Sequence, residues 1–234
     1  MANPVLQLSA IRKQYAGLRP LRVQSLAIDP GERVALSGFD AGAAEVLVNL
    51  VTGASVPDEG TVEVNGRATS SIADGDEWLS WLDQFGIVSA RAVLLDAASL
   101  LQNLAMPLSL QIDPIPPDIE QQARALAADV GLDTGALDRP LAGLDALTRA
   151  RAHLARAVAL GPSLLVLEHP TIGFGPGDAK AFGEAVARVS TKRSLAALMI
   201  SEDADFAAAA GARRLALHAA SGELKAPKRL FGWL

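Results

Sequence analysis

Apolar positions along this chain follow two different periods, and the change from one to the other organises it. Val5 to Ile11 and Leu21 to Ile28 are strand candidates in which large apolar residues recur mostly two apart, as in Leu6 and Leu8, Leu21 and Val23, and Leu26 and Ile28. Arg33 to Ser37 is a short apolar run suited to a buried strand. Gly53, Pro57, Asp58 and Gly60 then punctuate the return into a further strand, Thr61 to Asn65. From Asp96 to Ala159 apolar residues recur at helical spacing instead. The run IDPIPPD interrupts them, and Asp118 with Gln121 forms a capping box for a helix whose Ile119, Ala123, Leu126 and Val130 share one face. In the next helix Leu144, Leu147, Leu154 and Val158 make the core stripe, while Arg149, Arg151 and Arg156 project elsewhere. The continuous apolar run LLVLE has the pattern of a parallel strand buried on both faces. Strands over 195–200 and 213–218 alternate with helices over 178–189 and 203–211, which predicts a parallel α/β sheet. Trp78 and Trp81 lie three apart, with Leu82 on the same helical face, and are assigned to a core or subdomain contact.

Composition narrows the class. With 234 residues, half of them apolar, the chain can bury the core of one large α/β domain or of a core with a subdomain. A net charge of −5 argues against broad binding to nucleic acid or anionic lipid, which want a basic face. Arg12, Lys13, Arg19 and Arg22, and later Lys225, Lys228 and Arg229, are explained as solvated strand edges and termini. Cysteine is absent, so no disulfide, thiolate metal site or cysteine nucleophile is available. His153, His169 and His218 lack ligand spacing, and no metal site is expected. Ser37 lacks a nucleophile-elbow context, and GFGPG near Gly173 is a turn. The N-terminus has no signal-peptide pattern, and the apolar stretches at 97–112 and 157–167 are too mixed to span a bilayer. A soluble cytoplasmic chain follows, with any membrane link made through a partner. The tail KAPKRLFGWL carries Leu230, Phe231, Trp233 and Leu234; it docks either on its own domain or on a partner.

The candidate chemistry lies between Gly38 and Glu45, where G-F-D-A-G-A-A-E runs into VLVNLVTG. This is the outline of the phosphate loop GxxxxGK[ST], which needs glycines for close backbone approach, a lysine for the β/γ-phosphates and a hydroxyl for Mg²⁺. Gly38 is retained. The second glycine is Ala43, the lysine Ala44 and the hydroxyl position Glu45.

Four segments, the first of which contains this loop, fall in a fixed order along the chain. The run from Pro30 to Gly66, then FGIVSARAVLLDAASLLQNLAMPL, then LDALTRARAHLARAVALGPSLLVLEHPT, and last ALMISEDADFA, together resemble the ATP-binding subunits of ABC transporters over nearly the whole chain. The resemblance implies an α/β P-loop NTPase-like core with a mostly parallel sheet, an N-terminal antiparallel β subdomain and a helical subdomain. It implies a single domain over 1–234, with 1–89 and 158–234 as the core and β subdomain and 90–157 as the helical subdomain. It places nucleotide-loop positions at Gly38, Asp40, Gly42, Ala43, Ala44, Glu45 and Val46, with Tyr15 where an aromatic ring stacks on adenine. The Q-loop glutamine position is Ala90, and the signature occupies Leu144, Asp145, Ala146, Leu147 and Thr148, with Arg151 at the usual distance. The Walker B aspartate is Glu168, the catalytic glutamate His169, the D-loop aspartate Gly175 and the switch histidine Glu202. Pro170, Thr171 and Asp203 match the pattern. ATP and Mg²⁺ are implied by the resemblance alone. The implied partners are membrane permease subunits and a second ATP-binding subunit, the same or different, with the chain peripheral at the inner membrane face.

Charge favours retained architecture with lost catalysis. Ala44 removes a cation, while Asp40 and Glu45 bring two anions to a helix N-terminus; like charges about 4 Å apart repel by roughly 4 kcal/mol at an effective dielectric near 20. The helix dipole favours an anion there by only about 0.3–1 kcal/mol, and Asp40 and Glu45 are expected to cap the helix themselves. His169 is expected as a polar residue at a strand end, because a base without Lys, Ser/Thr and Gln partners has nothing held in place to act on. The preferred expectation is a silent subunit supporting a transporter. An active ATPase with substituted motifs and a soluble scaffold or regulatory protein remain alternatives, since sites rather than folds set function.

Overall fold

The structure, a computed structural model, describes residues 3–227. Strands β1 (Leu6–Lys13), β2 (Leu21–Ile28), β4 (Glu59–Val64) and β5 (Arg67–Ala68) form an antiparallel sheet in the order β2-β1-β4-β5. A second sheet runs β10-β9-β3-β8-β7-β6, built from β3 (Arg33–Ser37), β6 (Phe85–Val88), β7 (Leu164–Glu168), β8 (Ala196–Ile200), β9 (Arg213–His218) and β10 (Glu223–Lys225). All its neighbours pair in parallel except β10 with β9. Helices α1 (Ala41–Val51), α2 (Gly75–Leu82), α3 (Leu100–Ala105), α4 (Pro117–Val130), α5 (Ala146–Ala157), α6 (Asp178–Arg193) and α7 (Ala204–Ala209) complete the fold.

The central strands are apolar because both faces are covered. Leu165, Leu167, Ala197 and Met199 pack with α4, α5 and α6, whereas Leu164, Val166, Ala196, Leu198 and Ile200 pack with α1 and the antiparallel sheet. Phe182 of α6 lies stacked on Phe206 of α7 and edge-on to Phe174, all against the first cluster. Trp81 is buried and Trp78 half-buried in the second cluster, and the Trp78 indole N–H donates to the Thr52 carbonyl at 3.1 Å, as expected of a core contact.

Two local details depart from the pattern in the sequence. The alternation suggests a strand ending at Ile11, but β1 reaches Lys13 through a register shift between Ser9 and Arg12. Gly60 makes this possible, since at φ +85° a Cβ there would lie 2.3 Å from the Ser9 carbonyl oxygen. The Asp118–Gln121 capping box is not formed. Pro117 at the first helical position, with its φ pre-set and no N–H to satisfy, starts α4 two residues earlier, with Pro116 as N-cap and no side-chain cap. Asp118 falls in the first turn instead, where its charge suits the helix dipole. A capping box does exist at α3, where Ser99 accepts from the Gln102 N–H and Gln102 from the Ser99 N–H. The sequence S-L-L-Q carried that signal.

Among the described residues no helix is long and apolar enough to cross a membrane. Of the basic residues of the first strands, Arg12 pairs with Glu59 and Lys13 with Asp58 on the surface, and Arg22 donates to the Ala220 carbonyl. Leu230, Phe231, Trp233 and Leu234, with Lys228 and Arg229, lie outside the described residues.

Candidate functional site

Parallel strands deliver their following loops to one edge of a sheet, where open α/β folds form their ligand crevices. Here β3 leads into Gly38, β6 into Ser89, β7 into His169 and β8 into Glu202, so these loops converge. Gly38 has φ +84° and a Cβ there would meet the Leu217 carbonyl oxygen at 3.0 Å. Both facts call for glycine.

The turn that follows is short. Asp40 is extended and caps α1, accepting the Ala43 N–H at 2.7 Å, and the helix begins at Ala41. The Ala44 N–H is bonded to the Asp40 carbonyl at 2.9 Å, and the Gly38 N–H donates to Glu202 Oε1 at 2.6 Å. Three backbone donors of this turn, at Gly38, Ala43 and Ala44, are thus held by this chain's own oxygens. Ala44 is 0 % exposed in the apolar cluster under α1, and a cation at that position would have to enter the core. Val46 packs against the same cluster, and Gly42 is exposed.

Glu45 does not share the capping role the sequence suggests for it. It is one turn into the helix and exposed, and its carboxylate accepts from Arg91 Nη1 at 3.0 Å. The other end of the same guanidinium, Nη2, donates to Glu168 Oε2 at 2.7 Å, and the Ser89 hydroxyl donates to that oxygen at 2.8 Å. Glu168 is 11 % exposed and Arg91 45 %. One cation therefore bridges the phosphate-loop helix and the end of β7, linking the two positions where a P-loop protein holds its metal. Arg91 was not singled out by sequence reasoning. Its only signal is that it is the cation beside Ala90, whose methyl group has no polar atom to offer.

The remaining positions divide. Tyr15 comes to the loop: a Cβ on Gly42 would lie 3.2 Å from its ring, and burial, then the nearby Asp40 charge, hold its phenol above the usual range. It borders an open cleft of about 410 Å³ with Leu18, Arg19, Pro20 and Arg22. His169 leaves β7 with φ 43° and donates its N–H to the Ile200 carbonyl at 2.8 Å. Its Nε2 is buried and has no hydrogen-bond partner among the described residues. Asp145 caps α5, accepting from both the N–H and hydroxyl of Thr148 at 2.8 Å, and the backbone bond above all keeps its carboxyl below the usual range. Leu144 and Leu147 pack on the core, Ala146 starts the helix, and no hydrogen bond among the described residues ties the signature positions to 38–46. Gly175 lies in a turn whose N–H bonds Asp178 at 2.9 Å. Asp203 caps α7. No group of three or more His, Asp or Glu that could hold a metal occurs among the described residues.

His153 of α5 is not a ligand but carries a pH signature. Burial first, then the Arg156 and Arg149 cations, push its imidazole down to about 4. The unfolded chain therefore takes the proton first as pH falls. Stability from this ring is full above about pH 6.5 and is lost toward pH 4, by about 1–2 kcal/mol once its partial exposure is allowed for. In urea unfolding, His153→Gln is expected to flatten the loss of midpoint between pH 6.5 and 4.5. An unchanged pH slope would contradict the burial of a neutral ring.

Set against known proteins, the chain matches a family model described as ABC transporter over residues 21–172. It is 31 % identical over 182 residues to the lipoprotein-releasing system ATP-binding protein LolD of Pseudomonas fluorescens, covering 78 % of this chain and 79 % of that one. To the methionine import ATP-binding protein MetN of Brucella abortus it is 26 % identical over 202 residues, covering 86 % and 54 %. Among solved structures, cbiO1 from Clostridium perfringens, part of the transporter complex cbiONQ, superposes with TM-score 0.79 at 18 % identity over 98 % of this chain and 91 % of that one. A dimeric ATP-binding cassette in a post-hydrolysis state bound to ADP and Pi gives 0.76 at 19 % over 97 % and 100 %.

Proposed function

The chain belongs to the ATP-binding domains of ABC transporters, and from that premise we propose that it is a catalytically silent member, a subunit that supports a membrane transporter without turning over ATP. The observation that carries this is Arg91 between Glu45 and Glu168. The two carboxylates are already bridged by one tethered guanidinium, which offsets one of their two negative charges and occupies the space between them. ATP and Mg²⁺ do not fit the residues present. Asp40 and Glu202 occupy the Ala43 and Gly38 N–H groups, Ala44 supplies no charge, and Glu45 stands where the resemblance places a metal-binding hydroxyl. Phosphoryl transfer depends on positioned metal, a cationic or backbone clamp and an oriented water. His169, tied by its backbone to β8, has no held nucleophile to activate.

The role left to such a subunit is architectural. It sits under membrane permease subunits at the inner membrane face, beside a second ATP-binding subunit, with residues 90–157 as the helical part. Relatives of this chain are ATP-binding proteins of lipoprotein release and methionine import. An active ATPase with substituted motifs would need Glu168 free to serve a metal, and its two hydrogen bonds oppose that. Gentle detergent extraction of native membranes with a tagged chain tests the role: permease subunits and a second cassette are expected to copurify. Recovery of the chain only as an isolated monomer in the soluble fraction would favour a scaffold unrelated to transport.

A further inference from the structure

We infer that Arg91 is a positioning residue, a built-in strap that fixes the loop over 89–96 on the core without any ligand. Its two terminal nitrogens grip two different elements, α1 through Glu45 and the end of β7 through Glu168. Near the base of the loop Ser89 bonds the same Glu168 oxygen and also accepts the Arg91 N–H at 3.2 Å, which closes a small ring of polar contacts. The far half of the loop is tied to the helices instead. Asn103, fully buried, bonds both the N–H and the carbonyl of Leu95, at 2.8 and 2.9 Å. Arg156 donates to the Val93 carbonyl at 2.7 Å and Arg149 to Asp96 at 2.8 Å.

Between these anchors the loop exposes Val93, 72 % accessible, and Leu95. Two exposed aliphatic side chains on a loop pinned from both sides form a surface whose position is set in advance. Among the described residues Arg91 is the side chain of this loop that hydrogen-bonds α1, and so it ties the near half to the phosphate-loop helix. This step rests on the silent reading above only in that no nucleotide is needed to order the loop. A lysine cannot replace the arginine here, because a single ammonium does not span two carboxylates as a planar fork does.

Hydrogen exchange on the full chain, followed by mass spectrometry, tests the strap. In Arg91→Met, peptides over 89–94 are expected to exchange about five- to tenfold faster than in the wild type, with Arg91→Lys between them. Peptides from α1 and β7 should be unchanged. Equal exchange of the loop in Arg91→Met and wild type would overturn the strap. If Arg91→Met loosens α1 and β7 as well, Glu45→Gln, which removes only the exposed half of the grip, takes its place: faster exchange at 89–94 supports the strap and unchanged exchange refutes it. Adding Mg-ATP to the wild type separates the two ideas. Protection of 38–46 by nucleotide would count against the silent reading, whereas the strap stands or falls on the variants.

Discussion

Arg91→Glu is expected to lower the unfolding free energy by about 2–3 kcal/mol, more than its exposed position on a loop suggests. Exposed ion pairs contribute little, typically below about 1 kcal/mol, and the Arg91–Glu45 half of the bridge belongs to that class. The Glu168 half differs because that carboxylate is only 11 % exposed. Losing the guanidinium leaves it with the Ser89 hydroxyl as its remaining side-chain partner, and the substitution adds a third anion beside two. Repulsion on the scale of about 4 kcal/mol at 4 Å and an effective dielectric near 20 is then reduced as the loop moves outward. Arg91→Met removes the attraction without the repulsion and should cost about 1 kcal/mol. Urea unfolding reads both: the midpoint should fall in the order wild type, Met, Glu, with the slope unchanged. A charge reversal as stable as the wild type would mean that the bridge does not form in solution.

Much of the scaffold was legible because its signals are local. The β2, β3, β7 and β9 ranges follow from apolar patterns bounded by turn residues, and Leu147 and Leu154 of α5 from helical spacing, whereas Leu144 and Val158 of the expected stripe pack on the same core from just outside the helix. The bulge in β1 was not legible, since it depends on Gly60 of a neighbouring strand meeting the Ser9 carbonyl. At α4 the sequence offered two start signals, and the fixed φ of Pro117 won over the Asp118 side chain.

The site was legible as a set of positions rather than as a set of bonds. That Ala43, Ala44, Glu45, Ala90 and Glu202 stand where the family resemblance leads one to expect other residues can be read along the chain. What replaces them cannot. Arg91 lies 46 residues from Glu45 and 77 from Glu168, and Glu202 lies 164 from Gly38. Only the parallel sheet brings these loops to one edge. The structure also changes the meaning of Ala44. Along the chain it is a missing cation, but in the fold it is a fully buried methyl group on the core face of α1. Putting Lys at 44 and Ser at 45 would therefore introduce a charge into the core and leave Asp40, Arg91 and Glu202 in place.

Nucleotide binding carries the largest expected difference from a competent cassette, and its physical basis is a sum of small refusals. Dipole attraction at the start of α1, about 0.3–1 kcal/mol, is already taken up by Asp40. Glu202 holds the Gly38 N–H, and a γ-phosphate entering there would have to displace a carboxylate bonded at 2.6 Å. The Tyr15 cleft offers a ring and two arginines, Arg19 and Arg22, and reaches the loop at Gly38 and Ala43, where the Asp40 carboxylate lines it and opposes an entering phosphate.

The most direct measurement is calorimetric titration of the purified chain with ATP and magnesium. Heats no larger than dilution, or an affinity weaker than about 1 mM, which corresponds to less than roughly 4 kcal/mol of binding free energy, are the predicted result. A submillimolar, magnesium-dependent isotherm would contradict a site closed by its own Arg91, Asp40 and Glu202.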